Sequence, residues 1–203
     1  MKGKLFIIEG GDGSGKATQT RLLTEHLQRD GYDVKSVSYP DYDSDSSALV
    51  KMYLRGDFGS DADAVNPYAA SAFFAVDRFA SYQMKWKAFY EQGGIVIADR
   101  YTTSNMLYQM IKIDDPAQRR AYLAWLEDFE FRKMGLPAPD KVFLLDVPLA
   151  VTERLMADRT GKDGVEFQRR TGFCLETQYF PNAFANPNFP QRSEEHTSEL
   201  QSR

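Results

Sequence analysis

At 203 residues and 42% hydrophobic content, the chain is long enough to bury one sizeable core, and no linker-like stretch divides it. A formal net charge of −4 excludes a broad field attracting nucleic acid, and having only His26 and His196 excludes most zinc sites and histidine triads, so any catalysis falls to Asp, Glu, Lys and Arg. A single cysteine, Cys174, the absence of a charged-then-apolar leader and the absence of a run of about eighteen apolar residues point to a cytoplasmic protein without a membrane partner.

The first apolar run, Leu5–Glu9, predicts a buried strand that feeds directly into Gly10, Gly11, Asp12, Gly13, Ser14, Gly15 and Lys16. This is the pattern of a phosphate cradle. Its glycines let the backbone turn several N–H groups toward one anion, and a helix starting at Lys16 adds its positive end. Lys16 then reaches the outer phosphates of a nucleotide. An ordinary glycine-rich turn is the plain alternative, but strand, spacing, lysine and helix all agree. The expected ATP contacts run from Gly10 through Ala17 and Thr18. Ala17 stands where a hydroxyl for Mg²⁺ is usual, and Thr18 is turned about 100° away from it, which suits a phosphate rather than the metal.

The helix from Lys16 to about Asp30 carries Leu22, Leu23 and Leu27 and stops before Gly31. A second strand follows at Val34–Tyr39. Asn66 and Pro67 read as cap and first residue of a long helix that buries Phe73, Phe74, Phe79 and Trp86 before Gly93 and Gly94 end it. A third strand, Ile95–Asp99, ends on a carboxylate placed to face a metal and its waters. Asp115 and Pro116 open a helix running through Leu123, Leu126 and Phe129 toward Gly135, and Val142–Asp146 forms the fourth strand. Strands alternating with helices specify a three-layer α/β domain with a central parallel sheet, whose ligands sit beyond the carboxyl ends of the strands.

We assign residues 1–178 to this domain. A helix ending near Asp158 leads into Arg159, Thr160, Gly161, Lys162, Asp163 and Gly164, which reads either as a basic lid over about 157–166 or as a solvated loop. Residues 179–203 lack helical period and form an irregular tail. Arg192–Ser202 resemble the translation of a sequencing-library adapter, with a natural polar tail as the alternative, and carry no functional argument.

Asp99, Arg100 and Tyr101, followed by Ser104, Asn105, Tyr108 and Gln109, form a pattern that resembles the thymidylate kinase family of P-loop nucleoside monophosphate kinases. Gly10 to Lys16, Tyr39 and Pro40, and Phe73 to Arg78 resemble the family in the same order, and the likeness spans roughly residues 1–175. It implies transfer of the ATP γ-phosphoryl to thymidine monophosphate, a Mg²⁺ cofactor, strand order 2-3-1-4 and a homodimer. Phe74 and Arg78 are four apart on one helix face and by resemblance grip thymine, although Phe74 also fits plain core. Asn105 suits the thymine N3 edge or, with Ser104, a helix cap. Arg100 is implied to hold the acceptor phosphate, Asp12 the sugar 3′-hydroxyl, Tyr108 the 2′ position and Tyr42 a closing contact, with a structural tyrosine equally open at the last two. Arg159 is the candidate lid cation, and Asp99 meets the metal through water. Because the acceptor phosphate is already ionised, no general base is needed.

Two positions depart from the pattern. At position 41 many family members carry an arginine for the acceptor phosphate; here it is Asp41, so affinity for the monophosphate is lowered or Arg55 or another cation substitutes. The family's fifth strand and final helix have no convincing copy after residue 175, which leaves the fourth strand with an uncovered edge. A kinase for another monophosphate or a deoxynucleoside, with Asp41 or Asp43 as base, and a nucleotide-binding protein without turnover are the rival readings.

Overall fold

Apolar runs of five to seven residues, each followed by a helical segment, become parallel strands because a crossover helix must return the chain to the same end of the sheet. The computed structural model describes residues 2–59, 61, 63–148, 150–152 and 155. In chain order these form β1 (Lys4–Gly10), α1 (Lys16–Arg29), β2 (Val34–Ser38), α2 (Ala48–Arg55), α3 (Pro67–Ser81), α4 (Lys87–Glu91), β3 (Ile95–Asp99), α5 (Thr102–Met110), α6 (Pro116–Glu127) and β4 (Lys141–Leu145). The sheet order is β2-β3-β1-β4, all parallel, as expected. Arg159, the lid over 157–166 and the tail over 179–203 lie outside the described residues.

Side chains alternate across the sheet and so build a core on each face. Leu5, Ile7, Val96 and Ala98 meet Tyr39, Tyr82, Trp86, Tyr90, Tyr101 and Leu136 on one side. Ile8, Val34 and Ile97 meet Leu23 and Leu27 of α1 on the other. Burying each large apolar side chain contributes about 1.5–3 kcal/mol. The polar tips in the aromatic cluster are also satisfied: Trp86 Nε1 donates to the Tyr39 hydroxyl (2.9 Å), which donates to Ser81 Oγ (3.2 Å).

The helix starts follow the sequence cues. Asn66 Oδ1 accepts from the Ala69 N–H at 2.9 Å ahead of Pro67, and Asp115 Oδ1 accepts from the Ala117 N–H at 2.7 Å ahead of Pro116. Two expectations need correction. Phe73, Phe74 and Phe79 are only half-buried, since α3 packs chiefly against α2 and α5 rather than across the sheet. The long helix is not uniform: Tyr82–Trp86 widen into a π-helical turn between α3 and α4, where Tyr82 and Trp86 pack edge to face. A second π-helical turn, Asp128–Lys133, extends α6 and carries the fully buried Glu130. Helix α2 was not anticipated, and α5 starts ahead of the cap that Ser104 and Asn105 offered.

Candidate active site

The turn from β1 into α1 is shaped by glycine. A Cβ on Gly10 would stand 2.7 Å from Ser14 Oγ and 3.0 Å from the Leu145 carbonyl, so no side chain fits where the strand meets the loop. Gly15 caps α1 in the left-handed region (φ 86°) without a side-chain cap, and the first turn of α1 carries no acidic residue. The helix therefore presents its N–H groups to an anion. Ser14 Oγ is buried and has no hydrogen-bond partner among the described residues, while Ala17 and Thr18 are exposed on the first turn. Lys16 is folded inward, 8% exposed, and donates to the Gly11 carbonyl at 2.7 Å. Burial, with Arg100 adding to it, pushes its ammonium down to about 8 against the pull of Asp12, Asp99 and Glu9.

β3 delivers Asp99 and Arg100 to the same end. Arg100 adopts a left-handed backbone (φ 67°), its N–H donating to the Ile8 carbonyl at 3.1 Å. Its guanidinium donates to Asp12, to Ser104 Oγ (3.3 Å) and to the Tyr108 hydroxyl (3.4 Å), and lies over the Tyr108 ring. Burial disfavours the charge, but Tyr108, Asp12 and Glu9 outweigh it and raise the pKa, so Arg100 stays a cation. Asp99 is moved up by burial, with Lys16 and Arg100 opposing. Tyr42, 51% exposed, stands at the rim.

Sequence reasoning missed Glu9. This carboxylate is 1% exposed and accepts from the Tyr101 N–H (3.3 Å), Thr103 Oγ1 (2.8 Å) and Ser104 Oγ (2.8 Å), tying β1 to the start of α5. Ser104 thus supports Arg100 while spending its own hydrogen on Glu9. The signal was a glutamate inside an apolar strand, which needs internal partners.

A second carboxylate organises the other side of the same helical turn. Glu130 accepts from Arg78 Nε (2.8 Å) and Nη2, from Thr102 Oγ1 (2.6 Å) and from Asn105 Nδ2 (3.3 Å). Arg78 is 2% exposed and Glu130 0%, so this is the acceptor an arginine on an apolar helix face requires. Asn105 lies within α5, not at its cap, and its Nδ2 also donates to the Ser71 carbonyl at 3.1 Å. Phe74, one turn before Arg78, meets Tyr53 edge-on at 6.0 Å. Residues 102 and 105 therefore bind Glu130 while 103 and 104 bind Glu9. One turn of α5 joins the Arg100 cluster to the Arg78 cluster.

The neighbouring loop is pinned by Asp77, 1% exposed, which accepts from the Asp41 N–H (2.8 Å) and Ser46 Oγ (2.6 Å). Asp41 itself pairs with Lys85, and Arg55 pairs with Asp57 at the surface. A cavity of about 330 Å³ beside Asp99 is lined by Ala17, Thr20 and Ser38, and the buried Thr20 hydroxyl has no hydrogen-bond partner among the described residues. No three carboxylate, imidazole or thiol groups converge as a metal cluster among the described residues.

The chain has counterparts among known proteins in sequence and in fold. The family profile "Thymidylate kinase" matches residues 8–188. The thymidylate kinase of Mycobacterium tuberculosis is 31% identical over 179 residues, covering 83% of this chain and 82% of that protein. A probable thymidylate kinase of Pyrococcus abyssi is 32% identical over 149 residues, covering 73% and 67%. The solved structure of the Candida albicans thymidylate kinase, an enzyme of broad substrate specificity, superposes with a TM-score of 0.59 at 25% identity, covering 89% of this chain and 81% of that one.

Proposed function

Because this chain belongs to the thymidylate kinase family, we propose that Lys16, Asp12 and Arg100 join ATP and thymidine monophosphate end to end. Thymidylate kinases are ATP-dependent nucleoside monophosphate kinases, and this one converts thymidine monophosphate to the diphosphate. The observation that carries the site assignment is Arg100, a charged fork spanning Asp12 of the phosphate loop and Ser104 and Tyr108 of α5. Such a fork takes a phosphate bidentately when one arrives. The loop N–H groups from Gly10 to Lys16 hold the donor phosphates, and Lys16 and Arg100 neutralise the charge that accumulates as the acceptor oxygen attacks the γ-phosphorus. Asp12 leaves Arg100 for the sugar 3′-hydroxyl. Tyr108 sits beside Arg100 against the 2′ position, and Tyr42 closes from the rim.

Mg²⁺ fits the donor set. Asp99 lines a cavity that also holds the Thr20 hydroxyl, without a partner among the described residues, and one carboxylate matches an ion that keeps most of its water and otherwise binds nucleotide phosphates. When bound with ATP the ion screens the phosphate charges. Arg159 is the proposed lid cation, and the cytoplasm the proposed place of action. No helix among the described residues is long and apolar enough to cross a membrane. A homodimer is part of the same reading, and it would give cover to apolar side chains such as Val76 of α3 and Met84 of the turn after it, which are 45% and 79% exposed.

Steady-state release of ADP with thymidine monophosphate, thymidine and deoxyadenosine monophosphate as acceptors tests the reading. Turnover is expected with the first and lost in Lys16→Ala. Phosphorylation of thymidine but not its monophosphate overturns the assignment.

A further inference from the structure

Arg78 and Asn105 are both committed to Glu130 before any nucleotide is present, and the commitment decides which atoms remain for a ligand. An amide nitrogen has two hydrogens. In Asn105 one goes to the Ser71 carbonyl (3.1 Å) and the other to Glu130 Oε1 (3.3 Å), so Asn105 offers a base its Oδ1 alone, an acceptor. In Arg78, Nε and Nη2 face Glu130, which leaves the Nη1 hydrogens on the far edge of the fork as donors.

A donor beside an acceptor is a code. Thymine and uracil present a 4-oxo acceptor next to an N3–H donor and match it at both points. Cytosine presents a 4-amino donor next to an N3 lone pair and clashes at both. Turning the Asn105 amide over would create the cytosine match, but it would set Oδ1 against the Glu130 carboxylate and the Ser71 carbonyl. Those would be acceptor–acceptor contacts between groups that are 0% (Glu130) and 3% (Asn105) exposed, where burial makes an unpaired acceptor costly. We propose that Glu130, remote from the reacting phosphates, is a specificity-determining positioning residue: by locking the Asn105 amide and the Arg78 fork it makes the base slot selective for a 4-oxo pyrimidine over a 4-amino pyrimidine. This rests on the reading that Arg78 and Asn105 meet the base.

Glu130→Gln is the informative substitution, because a glutamine amide can donate to a turned Asn105 and so removes one of the two acceptor–acceptor contacts that fix the amide, at nearly unchanged volume. The preference for thymidine monophosphate over deoxycytidine monophosphate in kcat/KM is expected to fall at least about tenfold. The KM for thymidine monophosphate should rise more than kcat falls, and the KM for ATP should hold. A purely structural Glu130 would lower turnover of both acceptors in step and leave their ratio alone, which overturns the proposal. Asn105→Ala and Arg78→Ala run beside it. If neither alters the ratio, the base-reading assignment itself fails. If they alter it and Glu130→Gln does not, only the positioning role fails. In the unsubstituted protein, both side-chain amide protons of Asn105 should exchange slowly with and without thymidine monophosphate. Rapid exchange of either, or transfer of one to the base on binding, refutes the lock even if the variants do not fold.

Discussion

The two ends of the site handle charge in opposite ways. At the phosphate end Arg100 and its partner Asp12 are 17% and 42% exposed, Lys16 is held inward with its pKa lowered, and Ser14 Oγ has no partner among the described residues. At the base end Arg78 and Glu130 are 2% and 0% exposed and bonded in a fork with Thr102 and Asn105. At the phosphate end the carboxylate that must change partners, Asp12, is half-exposed, so water meets it when it leaves Arg100 and the exchange costs less than breaking a fully buried pair. Ions that define a shape sit where the partner cannot leave without a large desolvation penalty. One end is arranged to receive charge, the other to hold a pattern of donors and acceptors.

Removing the guanidinium at the phosphate end should have the largest effect. Arg100→Ala is expected to lower kcat/KM for thymidine monophosphate about 10³-fold, read in a coupled ADP assay. A change under tenfold would mean that Arg100 only ties Asp12 to α5. Next comes stability in denaturant. Glu130→Ala strands a buried guanidinium and should cost about 3–5 kcal/mol. Asp12→Ala at the half-exposed end should cost at most about 1 kcal/mol. Equal losses would erase the contrast between the ends.

The smallest effect is a fraction of a proton. Lys16 ionises near 8 in the unliganded protein, against 10.5 for a free lysine, so between those values the unfolded chain binds more protons than the folded one. Stability without nucleotide therefore rises with pH through that window. ATP phosphates reverse the shift. Binding at about pH 9 should take up protons, seen by calorimetry in buffers of differing ionisation enthalpy, and the uptake should vanish in Lys16→Met. Release of protons would contradict the assignment of Lys16 to the phosphates.

Much of the frame was readable from local signals: apolar runs for the strands, Asn66 with Pro67 and Asp115 with Pro116 for two helix starts, and glycines with Lys16 for the cradle. What escaped was the pairing of groups far apart in sequence. Tyr122, Leu126 and Glu130 lie on one buried row of a helix, so a glutamate there asked for a cation, and Arg78 on an apolar face asked for an anion. Each was visible alone, but only the fold brings residue 130 to residue 78. Glu9 has the same history with Thr103 and Ser104. The π-helical turns also escaped, because no residue type marks them, and tertiary packing decides where a helix widens. The pairing of Asp41 with Lys85 answers part of the anomaly at position 41. The acidic side chain there is neutralised locally rather than directed at the acceptor phosphate.

Arg100 alone among the described non-glycine residues has a left-handed backbone. For an L-residue with a long side chain this conformation costs about 1–2 kcal/mol, a cost that glycine would escape. Selection for thermal robustness would thus push position 100 toward glycine, and selection for turnover pulls it back to arginine. The position is a gauge of which pressure a lineage has felt: a copy of this fold with glycine there would mark a protein that has kept the scaffold and given up the reaction.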